Sequence, residues 1–483
     1  MKKKIISALL CASMVASMAA GCGSSDTADT TTTDNTATTP ATEAAPAADT
    51  ATEAATDATA SDEGKVLNIY CWNEEFKSRL EDHYPGYTIV DGTTGTIGDV
   101  TVKWNITPND DNAYQNNLDA TLLKQADAAA DDKIDLFLVE ADYALKYVDT
   151  DYTMDVADLG ITDADIADQY QYTKDIVTDS NGKLKGLTWQ GCPGVLFYNR
   201  EAAKEVLGSD DPADVQEYVK DWDTFNETAK TLKAAGYKIT SSTNDSYRVY
   251  SNNVTSKWVV DGKINIDDNI MKWVDQTKKY TDKGYNNKSS LWDSTWAADQ
   301  GPSGKVFGFF YSTWGINFTL LGNSLATPVK EGGKEEVGNG IYGDYAVCEG
   351  PQSYYWGGTW ICAAAGTDNA NLVKDVMKTL CCDKATMKKI TEDTQDYTNT
   401  TSGMNEIASS NFKSDFLGGQ NHIKLFAKSA PKISMKNISS YDQGLNEEFQ
   451  KAMKDYFDGN VTKDKALDNF YKAAIEKYPN LSK

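Results

Sequence analysis

Only two histidines, His83 and His422, occur in the 483 residues, and they lie far apart in the chain. That scarcity argues against a His-rich metal centre and against a His-based catalytic triad. The eight cysteines follow no Cys-x-x-Cys spacing. Six of them, Cys71, Cys192, Cys348, Cys362, Cys381 and Cys382, follow residue 64 and mostly have apolar neighbours. They read as buried thiols packing as small hydrophobes rather than as a disulfide framework. Basic charge is in deficit: 47 Lys and Arg face 71 Asp and Glu, for a formal net charge of -24. So acidic a chain is a poor partner for nucleic acid or an anionic membrane surface. No internal repeat is present, and past residue 20 no apolar run approaches the roughly 20 residues of a spanning helix. Asp179-Ser180-Asn181-Gly182 begins like a calcium loop, but the other ligands are missing and the segment reads as a turn. No metal or other cofactor is implied.

What is present begins with Lys2-Lys3-Lys4, a short apolar stretch from Ile5 to Ala20, and small residues at its end. This is the make-up of a secretory signal. Ala19-Ala20-Gly21-Cys22 resembles the lipobox of bacterial lipoproteins, with Ala19 where Leu is commonest. The resemblance implies that residues 1–21 are removed as a signal peptide. It also implies that Cys22 is lipidated and that the rest is held at the outer face of the cell membrane. Residues 22–64 are rich in Thr, Ala, Asp and Ser and lack Lys, Arg, aromatic and sizeable aliphatic residues after Cys22. Such a segment cannot bury enough apolar surface to offset its ordering entropy, so it reads as a disordered acidic tether.

From Lys65 onward, strand and helix signals alternate, which predicts an α/β fold. Val66–Trp72, Val100–Trp104, Gly194–Tyr198 and Lys305–Phe310 read as strands, and Ile134–Val139 as a buried strand of the parallel kind. Helices are expected from Glu74 to His83, after Asn199, from an Asp223 cap to Gly236, after an Asn369 cap, and twice at the C-terminus.

Several of these segments, in this order, resemble the family 1 extracellular solute-binding proteins of carbohydrate ABC importers. Lys65–Phe76 resembles the family's opening strand and helix, and Asp135–Asp142 the strand before its first-lobe site loop. Asn181–Trp189 resembles its Asp-Gly-Lys turn and following strand, with Asn181 and Thr188 where Asp and Pro are usual. Val195–Glu201 resembles the strand entering the second lobe, and Trp222-Asp223-Thr224-Phe225 the helix start after it. Gly304–Trp314 resembles a strand and ligand loop, Trp356–Trp360 a Gly-Gly return strand, and Gly459–Leu467 a C-terminal helix start. Cys192-Pro193 and the Trp-rich segment 289–302 depart from the pattern.

The resemblance implies a two-lobed periplasmic-binding-protein-like α/β fold with a hinge and an interlobe ligand cleft. Residues 65–188 and 365–428 would form lobe 1, and residues 189–364 and 429–483 lobe 2. It implies a sugar or oligosaccharide ligand, delivery to the permease subunits of an ABC importer, and a monomeric, non-enzymatic protein. A peptide or polyamine ligand, or a surface glycosidase, are the alternatives.

A sugar presents apolar C–H faces and directional hydroxyls, so its cleft needs aromatic platforms beside polar residues, and open α/β sheets bind ligands at strand ends. Trp72 and Asn73 follow the first strand. Glu140 and Asp142 follow the Val139 strand, where Asp142 is a helix cap or a hydroxyl contact. Trp189 and Gln190 sit at the first crossover. Asn244 follows Lys238–Thr240 and is a contact or part of a turn. Tyr311 and Trp314 follow the Phe307–Phe310 run, and Trp314 stands at a position that commonly stacks on sugar in the family. Trp356 precedes Gly357 and Gly358, where a backbone can approach a ligand closely. Trp360 is expected in the core, Trp292 and Trp296 line a subsite or pack in the second lobe, and Asp396 and Tyr397 are further candidates.

Overall fold

A computed structural model of the protein describes residues 64–483. The expected signal peptide, Cys22 and nearly all of the expected tether lie outside the described residues.

Twelve strands are found among the described residues. They are β1 (Val66–Cys71), β2 (Tyr87–Ile89), β3 (Thr94–Ile97), β4 (Val100–Ile106), β5 (Leu136–Glu140), β6 (Pro193–Asn199), β7 (Val259–Val260), β8 (Lys263–Ile264), β9 (Gly308–Ser312), β10 (Tyr345–Cys348), β11 (Tyr354–Tyr355) and β12 (Thr359–Ala363). One sheet runs β12-β5-β1-β4-β3-β2, with β1 parallel to both β4 and β5. The apolar run of β5 fits its place inside this sheet, where Leu136 to Val139 are buried. The second sheet is antiparallel and centred on β6, which pairs with β10 and β11 on one side and β9 on the other. β7 and β8 form a small separate ribbon. Helices cover both sheets and give two α/β lobes.

Local capping largely follows the sequence. Asn199 caps the helix Arg200–Leu207 by accepting the Ala202 N–H at 2.8 Å. The next predicted cap shifts by two residues: Asp221, not Asp223, accepts the Thr224 N–H at 2.7 Å and opens the helix Trp222–Ala234. Asn369 does precede the helix Ala370–Cys381, but its amide is used elsewhere, donating to the Val66 carbonyl at 2.9 Å. The C-terminal helices Asp442–Phe457 and Lys463–Lys477 bury Leu445, Phe449, Met453 and Phe470 against Trp258 and Trp273 in a satellite core. The six cysteines carry free thiols, five of them buried.

The chain passes between the lobes three times, and the three passages are bonded together. Gly191 N–H donates to the Tyr397 carbonyl and Asn399 N–H to the Trp189 carbonyl, each at 2.8 Å. Thr359 N–H donates to Gln190 Oε1 at 2.9 Å, and Thr188 Oγ1 donates to the Thr359 carbonyl at 2.7 Å.

These bonds move two of the expected lobe boundaries. The second passage lies at 356–358 rather than 364, because β12 already pairs with β5 in the first sheet. The third begins at 396–399, ahead of the expected 428, although Thr400 and Ser402 still bond Asp168 of the first lobe. Past it, Arg200 donates to the Leu417 carbonyl at 3.0 Å, Gln420 brackets Val347 with bonds of 2.9 and 2.8 Å, and the helix Ile423–Ser429 packs on β6.

Candidate functional site

The C-terminal ends of β1 and β5 bring Trp72 and Glu140 to one edge of the first lobe. Trp72 is half-buried, edge-on to Tyr114 and Tyr143 at ring-centre distances of 5.5 and 6.3 Å. Asn73 turns back on its own chain and accepts the Glu75 N–H at 3.0 Å. Glu140 accepts the Asp142 N–H at 2.9 Å, and burial, then the neighbouring Asp142 carboxylate, push its carboxyl pKa up.

Asp142 reaches across to the second lobe. Both its oxygens accept from Arg248, one from Nη1 at 2.6 Å and the other from Nη2. Arg248 sits on the short helix Tyr247–Ser251. Burial works most strongly against its charge, but Asp142, with Glu140 and Tyr247 adding, outweighs it and the guanidinium pKa is raised. No sequence argument singled out Arg248, although a signal existed: the whole chain contains only three arginines, Arg79, Arg200 and Arg248.

The second lobe contributes an aromatic wall. Trp314 stacks on Trp292 at 6.2 Å, stands edge-on to Trp356 at 5.1 Å, and donates its indole N–H to the Trp356 carbonyl at 2.8 Å. Gly357 and Gly358, at φ +73° and +103°, carry the chain under this wall; a Cβ on Gly357 would lie 3.0 Å from Trp314 Nε1 and one on Gly358 2.9 Å from Cys192 Sγ. The two glycines therefore serve the packing of the chain's own side chains. Tyr311 is fully buried behind the wall, stacked on Trp356 at 5.4 Å. Trp296 is buried too, its indole N–H held by Asp245 at 2.9 Å.

Trp292, by contrast, is 38% exposed. With Trp356, Asn244, Arg248 and Gln450 it lines an open cavity of about 640 Å³. Asn244 donates to Gln450 Oε1 at 2.9 Å on its wall. A smaller void of about 50 Å³ lies on the other side of Arg248, bordered by Asp142, Tyr355 and Asp442.

Trp189 and Gln190 are not on a cleft wall. Trp189 is fully buried in the first-lobe core, stacked on Phe76 at 5.4 Å, because the Leu187–Trp189 segment continues the sheet beside β12. The Gln190 amide donates to Glu75 and to Asp396, both at 2.9 Å, and Thr313 of the second lobe donates to Asp396. Burial, reinforced by Asp396 and opposed by Arg79, pushes Glu75 up to about 7. Gln190, Asp396 and Tyr397 are thus hinge residues, and Trp360 is core. Among the described residues no group of three or more His, Cys, Asp or Glu is placed to hold a metal ion.

Two lobes joined by three bonded passages, with aromatic and ionic groups facing across a cleft, define a solute-binding protein. The chain belongs to the bacterial extracellular solute-binding protein family, whose model matches residues 94–416. It is similar in fold to a crystal structure described as extracellular solute-binding protein family 1 (15% identity, 85% of this chain and 99% of that one, TM-score 0.66). It is similar also to the ABC transporter associated binding protein from B. animalis subsp. lactis Bl-04 in complex with beta-1,6-galactobiose (17% identity, 87% and 99%, TM-score 0.63). A third likeness is to the galacto-N-biose-/lacto-N-biose I-binding protein of Bifidobacterium longum in complex with lacto-N-biose (15% identity, 87% and 98%, TM-score 0.62). No curated protein sequence matches the chain. Among the described residues no helix is long and apolar enough to cross a membrane.

Proposed function

We propose that this protein captures a sugar or oligosaccharide in the cleft between its lobes and delivers it to the permease of an ABC importer, without chemical turnover. The observation that carries the reading is the tryptophan wall: Trp292 and Trp356 line an open cavity beside Arg248 and Asn244. The exposed indole of Trp292 suits the C–H face of a pyranose, with the buried Trp356 packed beside it, and flanking amides and charges suit the hydroxyls. The sugar complexes of similarly folded proteins support the same class of ligand. Trp72, Glu140 and Asp142 would meet the ligand from the first lobe, and Asn244, Arg248, Trp292, Trp314 and Trp356 from the second. A polyamine is served less well, because Asp142 is already paired with Arg248 and burial favours the neutral form of Glu140. Ligand that touches both lobes only when they are closed shifts the population toward closure by its differential affinity.

The lipid on Cys22 and the acidic tether would hold this monomer at the outer face of the membrane. Replacing Cys22 with Ser is expected to abolish lipid labelling and release the protein to the medium. The ligand class is tested by a thermal-shift screen of residues 64–483 against mono- and oligosaccharides, peptides and polyamines, since anything that binds the folded form raises its melting temperature. A shift with sugars and no product formed is expected. A shift with peptides or polyamines alone would remove carbohydrate from the function.

A further inference from the structure

Where the lobes meet, three carboxyl groups lie near one guanidinium. Glu140 and Asp142 come from the first lobe, and Asp442 opens the helix Asp442–Phe457 of the second. The void of about 50 Å³ there is walled by Asp142 and Leu145 from one lobe and by Arg248 and Asp442 from the other. Asp142 occupies the Arg248 guanidinium with both of its oxygens. Asp442 has a hydroxyl partner instead, accepting from Ser439 Oγ at 2.6 Å, and Glu140 a backbone partner, the Asp142 N–H at 2.9 Å.

The groups that face Glu140 are Asp142 and Tyr143 after its own strand, Cys192 at the first passage, Tyr355 of β11, and Arg248 and Glu447 of the second lobe. Those that face Asp442 are Asp142 of the first lobe and Tyr247, Lys257 and Tyr478 of its own. With every acid ionised, the carboxylates of Glu140, Asp142, Asp442 and Glu447 outnumber the cations Arg248 and Lys257 by two. With Glu140 and Asp442 neutral the charges balance. Unbalanced charge is costly away from water. Burial first, then Asp142, pushes the Glu140 pKa up. Burial, with Asp142 adding and Ser439 and Lys257 opposing, pushes Asp442 up to about 7.

From this arrangement we infer that the contact between the lobes is a proton-operated latch: it fastens with Glu140 and Asp442 neutral and loosens when they ionise. Parting the lobes gives both carboxyls to water and returns them toward their ordinary range, near about pH 4. The fastened form therefore holds more protons than the parted one. Its advantage is whole below that range and falls as pH rises, through about 7 for Asp442. The latch acts on the lobes and not on the ligand, so it stands whichever solute the cleft takes. Any solute that closes the lobes at neutral pH draws protons in with it.

The test is small-angle scattering of the ligand-free chain from residue 23 onward, at constant ionic strength between about pH 6 and 9, where the carboxylates of the expected tether stay ionised. The radius of gyration of the wild type is expected to rise with pH across this range. That of E140Q/D442N is expected to stay at the value the wild type has at the acid end. A wild-type radius that does not change with pH would overturn the latch. So would a rise that persists undiminished in the double variant, since it would belong to another group, such as Glu75 at the hinge. Should the double variant not fold, D442N alone decides: a smaller rise than in the wild type is expected, and an equal rise overturns the latch. None of these failures touches the sugar reading, which the thermal-shift screen tests separately.

Discussion

Arg248 holds Asp142 across the cleft through two parallel hydrogen bonds, one from each terminal nitrogen. The residues come from opposite lobes, and their side chains are 21% and 25% exposed. The pair therefore fastens the lobes together at the place where the proposed ligand enters.

Removing one partner leaves the other charge partly buried and unpaired. R248A and D142A are each expected to lower stability by about 1–3 kcal/mol, and the double variant to lose less than the sum of the two. Urea unfolding reads the energies. Small-angle scattering of the ligand-free single variants is expected to show a larger radius of gyration than the wild type. An unchanged radius would mean that the pair does not hold the lobes closed.

Trp314 joins Trp292 to Trp356 and bonds the Trp356 carbonyl. W314A is expected to cost about 3 kcal/mol of stability, the lower end of the range for aromatic truncation because the ring is half-buried. Sugar affinity should fall with it. W314F keeps the packing and loses the hydrogen bond, so it should recover most of the stability.

Gly358 has φ +103°, and its Cβ would meet Cys192 Sγ at 2.9 Å. G358A is expected to cost about 1–3 kcal/mol through strain alone, measured by urea unfolding. Gly86, also at positive φ but with open space around it, is the control: G86A should cost less.

Glu75 gives a pH prediction. Burial, with Asp396 adding and Arg79 opposing, lifts its pKa from 4.5 to about 7 in the folded state. Between those values the folded protein holds more protons than the unfolded chain, so this group's contribution to stability falls as pH rises from about 4.5 through 7. Glu75→Gln removes the titration and keeps an acceptor for the Gln190 amide. The melting temperature of E75Q relative to wild type should therefore climb across that window and level off above it. A difference independent of pH would rule out the raised pKa.

Much of the fold was legible in the sequence because apolar runs and punctuation residues coincide. The β5 run, the helix opening after Asn199 and the C-terminal amphipathic helices are local signals, and each fell where expected. Asp223 was misread because three acidic or hydroxyl residues, Asp221, Asp223 and Thr224, compete within one turn, and backbone geometry decides among them. The site was less legible. Looking for aromatics after strands picked out Trp72 and Trp314, which are half-buried, and Trp356, Tyr311 and Trp189, which are buried. Arg248 and Trp292 follow no strand, since one sits on a one-turn helix and the other in a loop. Their placement depends on contacts such as Arg248 with Asp142, 106 residues away in sequence.

The amide of Gln190 belongs to the first passage between the lobes, Asp396 to the third, and Gln190 Oε1 receives the Thr359 N–H beside the second. One side chain thus ties all three connections at a single height. Hinge plates fixed along one pin swing in one arc only, whereas separate straps would let a door sag and twist. The proposed closure would then follow a single path, and the surface it offers the proposed permease would be the same each time, whichever ligand drew it shut.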